Sequence, residues 1–200
     1  MGDIIDSREQ DSKLLWEDLN EIVEQVNIEF KEYILSPLQI KIGDEFQVVM
    51  KDIQSSLKLL YYINTYLMYK KIESRFVIGY GSIETIINED SANNMLGTGL
   101  TSTYEVLNDK KNKNRYRFYI QDNQQTTALL NSIGLLLTEI ESKATHRQYE
   151  YLYHKVILKE SLTKISEKMK ITQRTIYGYE NRSKYKLFHQ IFTSIEKSLK

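Results

Sequence analysis

Four acidic residues stand where a short chain could gather hard oxygen ligands: Asp3 and Asp6 near the start, and Asp44 and Glu45 in a Gly43-Asp44-Glu45 turn. Mg2+ takes a near-octahedral shell of one or two carboxylates completed by phosphate oxygens and water, and Mn2+ suits the same ligand type. A strand end and a hairpin tip can supply that shell if the fold sets them side by side. Gathered carboxylates repel one another unless a cation or protons neutralise them, so such a cluster would itself point to function. The bland alternative is that Gly-Asp is a common turn pair and that Asp3 or Asp6 caps a helix. Cysteine is absent, and His146, His154 and His189 do not share a helix face. Any metal would therefore be held by oxygen.

A second chemistry lies at the other end of the chain. From Leu162 to Tyr177 the apolar residues Ile165, Met169, Ile171 and Ile176 follow the spacing that locks two helices at a steep angle, with small Ser166 at their closest approach. Thr172 is placed to cap the second helix, whose outer face would carry Gln173, Arg174, Thr175, Tyr177, Asn181 and Arg182, followed by Lys184. Those side chains can hydrogen-bond base edges or phosphates. Residues 163–200 hold nine Lys and Arg against three Glu, although the whole chain has no net charge. DNA is the expected partner; a helical bundle with a solvated basic face, or a protein-binding winged module, is the alternative.

The elements that must position these residues follow from periodicity. The opening segment reads as the end of a buried strand, with Asp6 or Ser7 capping a long helix that carries Leu15, Leu19, Ile22, Val26 and Phe30 and ends before Pro37. Leu38–Ile42 alternates, Gly43-Asp44 signals a hairpin, and Phe46–Met50 resumes the strand. A second amphipathic helix spans Ile53–Tyr69, Arg75–Gly81 is a central strand, a short helix follows Gly97-Thr98-Gly99, and Arg115–Ile120 is a last strand. This β-α-β-β-α-β order, with a further helix and strand, is that of an α+β, ferredoxin-like sheet with helices on one face. From about residue 123 the pattern becomes all-helical. Two domains are expected, 1–122 and 123–200.

No apolar run approaches the roughly 18 residues of a membrane span, and Asp3 and Asp6 interrupt the place of a signal peptide, so a cytoplasmic protein is expected. The tyrosines, 15 in all, are spread through both halves and suit core packing more than a site.

The segments Asp3-Ile4-Ile5, Lys41–Phe46 and Arg75–Gly81 resemble the three landmark strands of class III nucleotide cyclases, in matching order. More closely, Gly2–Arg8 together with Gly43–Gln47 resembles the SatD family, which joins such a domain to a C-terminal helix-turn-helix. The resemblance covers nearly the whole chain. It implies Asp3 and Asp44, helped by Glu45 or Asp6, as ligands of Mg2+ or Mn2+. It also implies Ile4, Ile5, Gly43 and Arg75 as neighbours of a nucleoside triphosphate or other nucleotide, and a homodimer. The stretch Gly99–Tyr104, where cyclases carry a transition-state asparagine and arginine, has neither. Nucleotide sensing, enzymatic turnover and a purely structural sheet domain are thus all open.

Overall fold

A computed structural model describes residues 1–199, except the side chain of Ile42; Lys200, the last lysine of the basic tail, lies outside the described residues. The chain is α+β, built on a five-stranded mixed sheet in the order β2-β3-β1-β4-β5. The strands are β1 (Gly2–Ile4), β2 (Ile34–Ile42), β3 (Glu45–Met50), β4 (Ser74–Tyr80) and β5 (Tyr116–Ile120). Central β1 is antiparallel to both β3 and β4, whereas β4 and β5 run parallel. The hairpin closes with Ile42 opposite Glu45, and Gly43 takes the left-handed conformation, φ 62°, that its turn position requires.

The first helix ends before Pro37 as expected but starts later than expected, and the strand after it starts earlier. Residues Ser7–Glu9 form a 3-10 turn, and α1 (Ser12–Glu29) begins later, capped by Asp11, whose Oδ1 accepts from the amides of Lys13 and Leu14 at 2.9 and 3.0 Å. Neither Asp6 nor Ser7 caps it. The following strand starts at Ile34 and runs through Pro37. Proline is tolerated because β2 is an edge strand and the ladder is irregular between Ser36 and Gln39, so the missing N–H removes no obligatory bond.

Helix α2 (Ile53–Tyr69) is buried on nearly every side, with Leu57 and all residues from Leu59 to Leu67 shielded. Such a helix must be covered twice. The sheet covers one side, and α8 (Tyr185–Ser198) covers the other, where the rings of Phe188 and Phe192 lie 5.4 and 6.1 Å from Tyr61. The last helix therefore returns to the main core, which also takes in Leu130 and Leu137 of α4 (Gln124–Glu141). Helix α4 lies against β5 because Gly134 has no side chain: a Cβ there would stand 1.8 Å from the Tyr116 carbonyl oxygen. Asn131 bonds the N–H and C=O of Phe118, at 3.1 and 2.9 Å, and so satisfies the outer edge of β5.

The helices are not all on one face. Ile4, Phe76 and Ile78 point into the core with α1 and α2, so by strand alternation Asp3, Arg75, Val77 and Gly79 face the opposite side. That side is covered by α3 (Thr98–Asn108): a Cβ at Gly79 would collide with Thr103. A smaller cluster of Tyr149, Leu152, Ile165, Met169 and Ile176 unites α5 (His146–Leu152), α6 (Leu162–Met169) and α7 (Gln173–Arg182). A π-helical stretch, Tyr153–Ile157, links α5 to α6.

Candidate ligand site and basic helical face

The register of the central strands decides which acidic residues meet. Asp3 is opposite Arg75, and the neighbouring Gly2 is opposite Phe46, which brings Asp3 beside Glu45 on β3. Between the two carboxylates stands a cation the sequence reading did not anticipate. Lys110 Nζ is 2.8 Å from Asp3 Oδ2 and 3.3 Å from Glu45 Oε1. Arg75 Nε approaches the same Asp3 oxygen at 3.3 Å, and its Nη1 donates to the Lys110 carbonyl at 3.1 Å. Burial raises the pKa of the Asp3 carboxyl; the Lys110 ammonium opposes the rise, nearby Asp44 adds to it, and Arg75 opposes it.

Lys110 owes its position to α3. The buried guanidinium of Arg117 donates to the carbonyls of Val106, Leu107 and Asp109 at the end of that helix, as a cation at a helix C-terminus does. This anchors the segment from which Lys110 projects. Burial lowers the Arg117 pKa, because the low-dielectric surroundings disfavour its charge.

Of the expected metal ligands, the fold brings Asp3 and Glu45 onto one ammonium, with half-buried Asp44 close enough to act on Asp3 electrostatically. Asp6 is exposed and lines an adjacent cleft of about 480 Å³ together with Arg75, Lys110 and Arg115. Among the described residues no group of three or more acidic or histidine side chains is arranged to hold a metal. The place between Asp3 and Glu45 is filled by Lys110, so the residues as arranged do not fit a divalent ion. Ile5 donates its N–H to the Glu73 carbonyl at 2.8 Å, Ile4 is a core residue in the β1–β4 ladder, and Gly43 is at the exposed hairpin tip.

The floor of the cleft is a buried polar network. Arg115 Nη1 is 3.1 Å from Glu141 Oε2, its Nη2 donates to Asn64 Oδ1 at 2.7 Å, and its Nε donates to the Ser74 carbonyl at 2.8 Å. Asn64 Nδ2 and the Tyr116 hydroxyl donate to Glu141 in turn. Burial raises the Glu141 pKa, and the Arg115 charge is the largest influence against the rise. This network joins α2, β5 and α4 one residue from Arg75.

At the C-terminal end, three residues separate α6 from α7, and Lys170 adopts the left-handed conformation at the end of α6. Ser166 Oγ donates to the Ile171 carbonyl across the turn, and Thr172 Oγ1 accepts from the Thr175 amide at 3.2 Å as the cap of α7. Ile176 is fully buried, while Gln173, Arg174, Tyr177, Asn181 and Arg182 are exposed, as is Lys184 beyond the helix; Thr175 is half-buried. Beside this pair, His154 and the ammonium groups of Lys164 and Lys168 converge on Glu160 at 2.8, 3.1 and 2.6 Å. Lys168, the strongest of these influences, with Lys164 and His154 brings the Glu160 pKa down to about 2.

Fold and site together define an α+β protein with an acidic-basic cluster at the sheet and a separate basic helical face. The chain belongs to the SatD family, whose model matches residues 1–194. No curated protein and no solved structure matches it.

Proposed function

We propose that the chain is a DNA-binding regulatory protein, in which residues 162–182 act as a helix-turn-helix and a ferredoxin-like, cyclase-like sheet domain of residues 1–122 takes a nucleotide. The observation that carries the DNA reading is α7. Its one buried residue, Ile176, fixes the helix, while Gln173, Arg174, Tyr177, Asn181 and Arg182 leave the surface together. Arg174 has no ion-pair partner among the described residues. Arginine is suited to guanine edges and glutamine or asparagine to adenine, and Lys184 adds a phosphate contact. Such units usually read two half-sites, so the working form is a homodimer in the cytoplasm.

The strand order supports the cyclase-like reading of the sheet, since β1 lies between β3 and β4 as a split β-α-β unit requires. In this reading Arg75 and Lys110 receive the phosphates. Mg2+ or Mn2+ would have to compete with the Lys110 ammonium for Asp3 and Glu45. The Arg115–Glu141 network connects that cleft to α2 and α4, and α2 packs on α8, so a ligand at Lys110 has a continuous contact route to the helical part. The test is selection of duplexes from a random pool. Wild type should enrich one sequence, and Arg174→Ala should lose the enrichment while keeping its helical circular dichroism. An unenriched pool with wild type would reject the proposal.

A further inference from the structure

Helix α4 is apolar on two opposite sides. Leu130 and Leu137 face the core, 2% and 0% exposed, together with Gly134. Turned away from them, Leu129, Leu135 and Leu136 are 62%, 55% and 63% exposed, with exposed Ala128 and Ser132 beside them. A helix apolar all round is normally covered all round, and a contiguous exposed stripe of this kind marks a contact surface. Charge is missing from it as well. No residue from Gln124 to Thr138 is charged, in a chain where 27% of residues are. A face meant for water would carry several charges.

The order of these residues says what covers the stripe. It is symmetric about Ser132: Leu129 and Leu135 flank it at three residues, and apolar Ala128 and Leu136 at four. With about 3.6 residues per turn, Leu129 and Leu136 share one edge of the stripe, and Ala128 and Leu135 the other. An identical helix laid antiparallel across Ser132 therefore sets Leu129 against the partner's Leu136, and Leu135 over the partner's small Ala128. Each contact is made twice, as the isologous contact of a two-fold dimer demands. Small Ser132 meets its own copy on the axis and admits the usual separation of packed helices, about 8–10 Å. The ends agree in charge. Exposed Asp122 precedes the helix and exposed Lys143 follows it, so an antiparallel copy places acid beside base at both ends. Glu139, held by Lys143 at 2.7 Å, falls beside the partner's Gln125, an amide that can donate to it. A parallel copy would set Lys143 against Lys143 and leave Ala128 facing Ala128. A covering segment of unrelated sequence would need no symmetry about Ser132.

We infer that the outer face of α4 is a self-association surface, on which a second copy of this chain docks antiparallel about Ser132. The helix is about 27 Å long at about 1.5 Å per residue, and one such face falls short of the roughly 800 Å² that each partner of a standard interface buries. The dimer is accordingly a weak one, in the micromolar range. The proposed function calls for a homodimer, but this surface is inferred from α4 alone and stands apart from what α7 binds.

The test is sedimentation of the intact chain without DNA. Wild type should pass from monomer to dimer as its concentration rises through the micromolar range. Leu129→Lys and Leu136→Glu change exposed positions and should leave the helical circular dichroism intact. Each should weaken association by more than about tenfold, because one change acts twice in a symmetric pair. Mixing the two variants should restore a dimer, since one contact then carries opposite charges and the other keeps both leucines. The chain has no cysteine, so Ser132→Cys reports the axis: mild oxidation should link two chains through that position. A wild type monomeric throughout that range, a dimer that neither variant weakens, a mixture no tighter than its components, or a Ser132→Cys chain that does not cross-link would overturn the inference. None of these outcomes bears on α7, and an unenriched duplex pool would not bear on α4, so the two readings fail separately.

Discussion

Replacing Glu141 with glutamine should be among the most damaging single changes outside the hydrophobic core. The side chain is 5% exposed and accepts from Arg115, Asn64 and Tyr116, while Arg115 is itself 8% exposed. Glutamine keeps the shape but leaves the guanidinium buried beside a neutral group. Removing one partner of a buried, hydrogen-bonded ion pair costs about 3–5 kcal/mol. In a chain of this size each kcal/mol moves the melting temperature by about 2–4 °C, so the midpoint should fall by about 6–20 °C. The same reasoning requires that removing both charges hurts less than removing one. Arg115→Met with Glu141→Leu should recover most of the loss, because no lone charge stays buried. Urea denaturation of wild type, Arg115→Met, Glu141→Leu and the variant carrying both closes the cycle. Simple addition of the two single costs in the double variant would refute the argument that the pair acts as a unit.

Lys110→Met should turn an internal ion cluster into an open pair of carboxylates: Mn2+ should raise the melting temperature of this variant and leave wild type unmoved, and an equal response in both would mean that Lys110 does not guard the site. The Glu160 cluster predicts an acid limb. Its folded pKa of about 2 lies below the ordinary value of 4.5, so its contribution is complete above about pH 4.5 and is lost as pH falls towards 2. Denaturation midpoints measured from pH 6 to pH 2 should therefore fall less steeply in Glu160→Gln than in wild type, and parallel curves would contradict this.

Much of the sheet is written in local pattern. Alternation over Leu38–Ile42 and Phe46–Met50, with Gly43 between them, leaves little choice but a hairpin, and the long apolar helices announce themselves by their period. The errors arise where two local signals compete or where tertiary placement decides. Asp6, Ser7 and Asp11 are all competent caps, and only the 3-10 turn at Ser7–Glu9 selects the last. Proline 37 reads as a strand breaker unless the strand is known to be at an edge. Gly79 inside a central strand was a usable sign that something packs closely there, and that neighbour is α3 on the second face.

The candidate site was half legible. Asp3 and Glu45 are conspicuous, and their approach follows from strand order. Lys110 is not, because it sits in the polar run Asp109–Asn114, which looks like any solvated loop, and only the Arg117 anchor of α3 brings it to Asp3. Arg115 and Glu141 likewise gain their meaning from contacts 26 residues apart in sequence. The α6–α7 unit is local, and its cap, turn and buried Ile176 fall where the residue spacing puts them.

The central claim is that the outer face of α7 meets DNA, and the salt dependence of that binding tests it most directly. On a selected duplex, the logarithm of the binding constant should fall linearly with the logarithm of salt concentration, with a slope of about −0.9 for each phosphate neutralised. Lys184→Ala should make that slope shallower by about one, and Arg174→Ala should cost about 1–3 kcal/mol on the selected sequence, narrowing its lead over unrelated duplexes. Binding that is absent, insensitive to salt, or unchanged in Gln173→Ala, Arg174→Ala and Asn181→Ala combined would contradict the account.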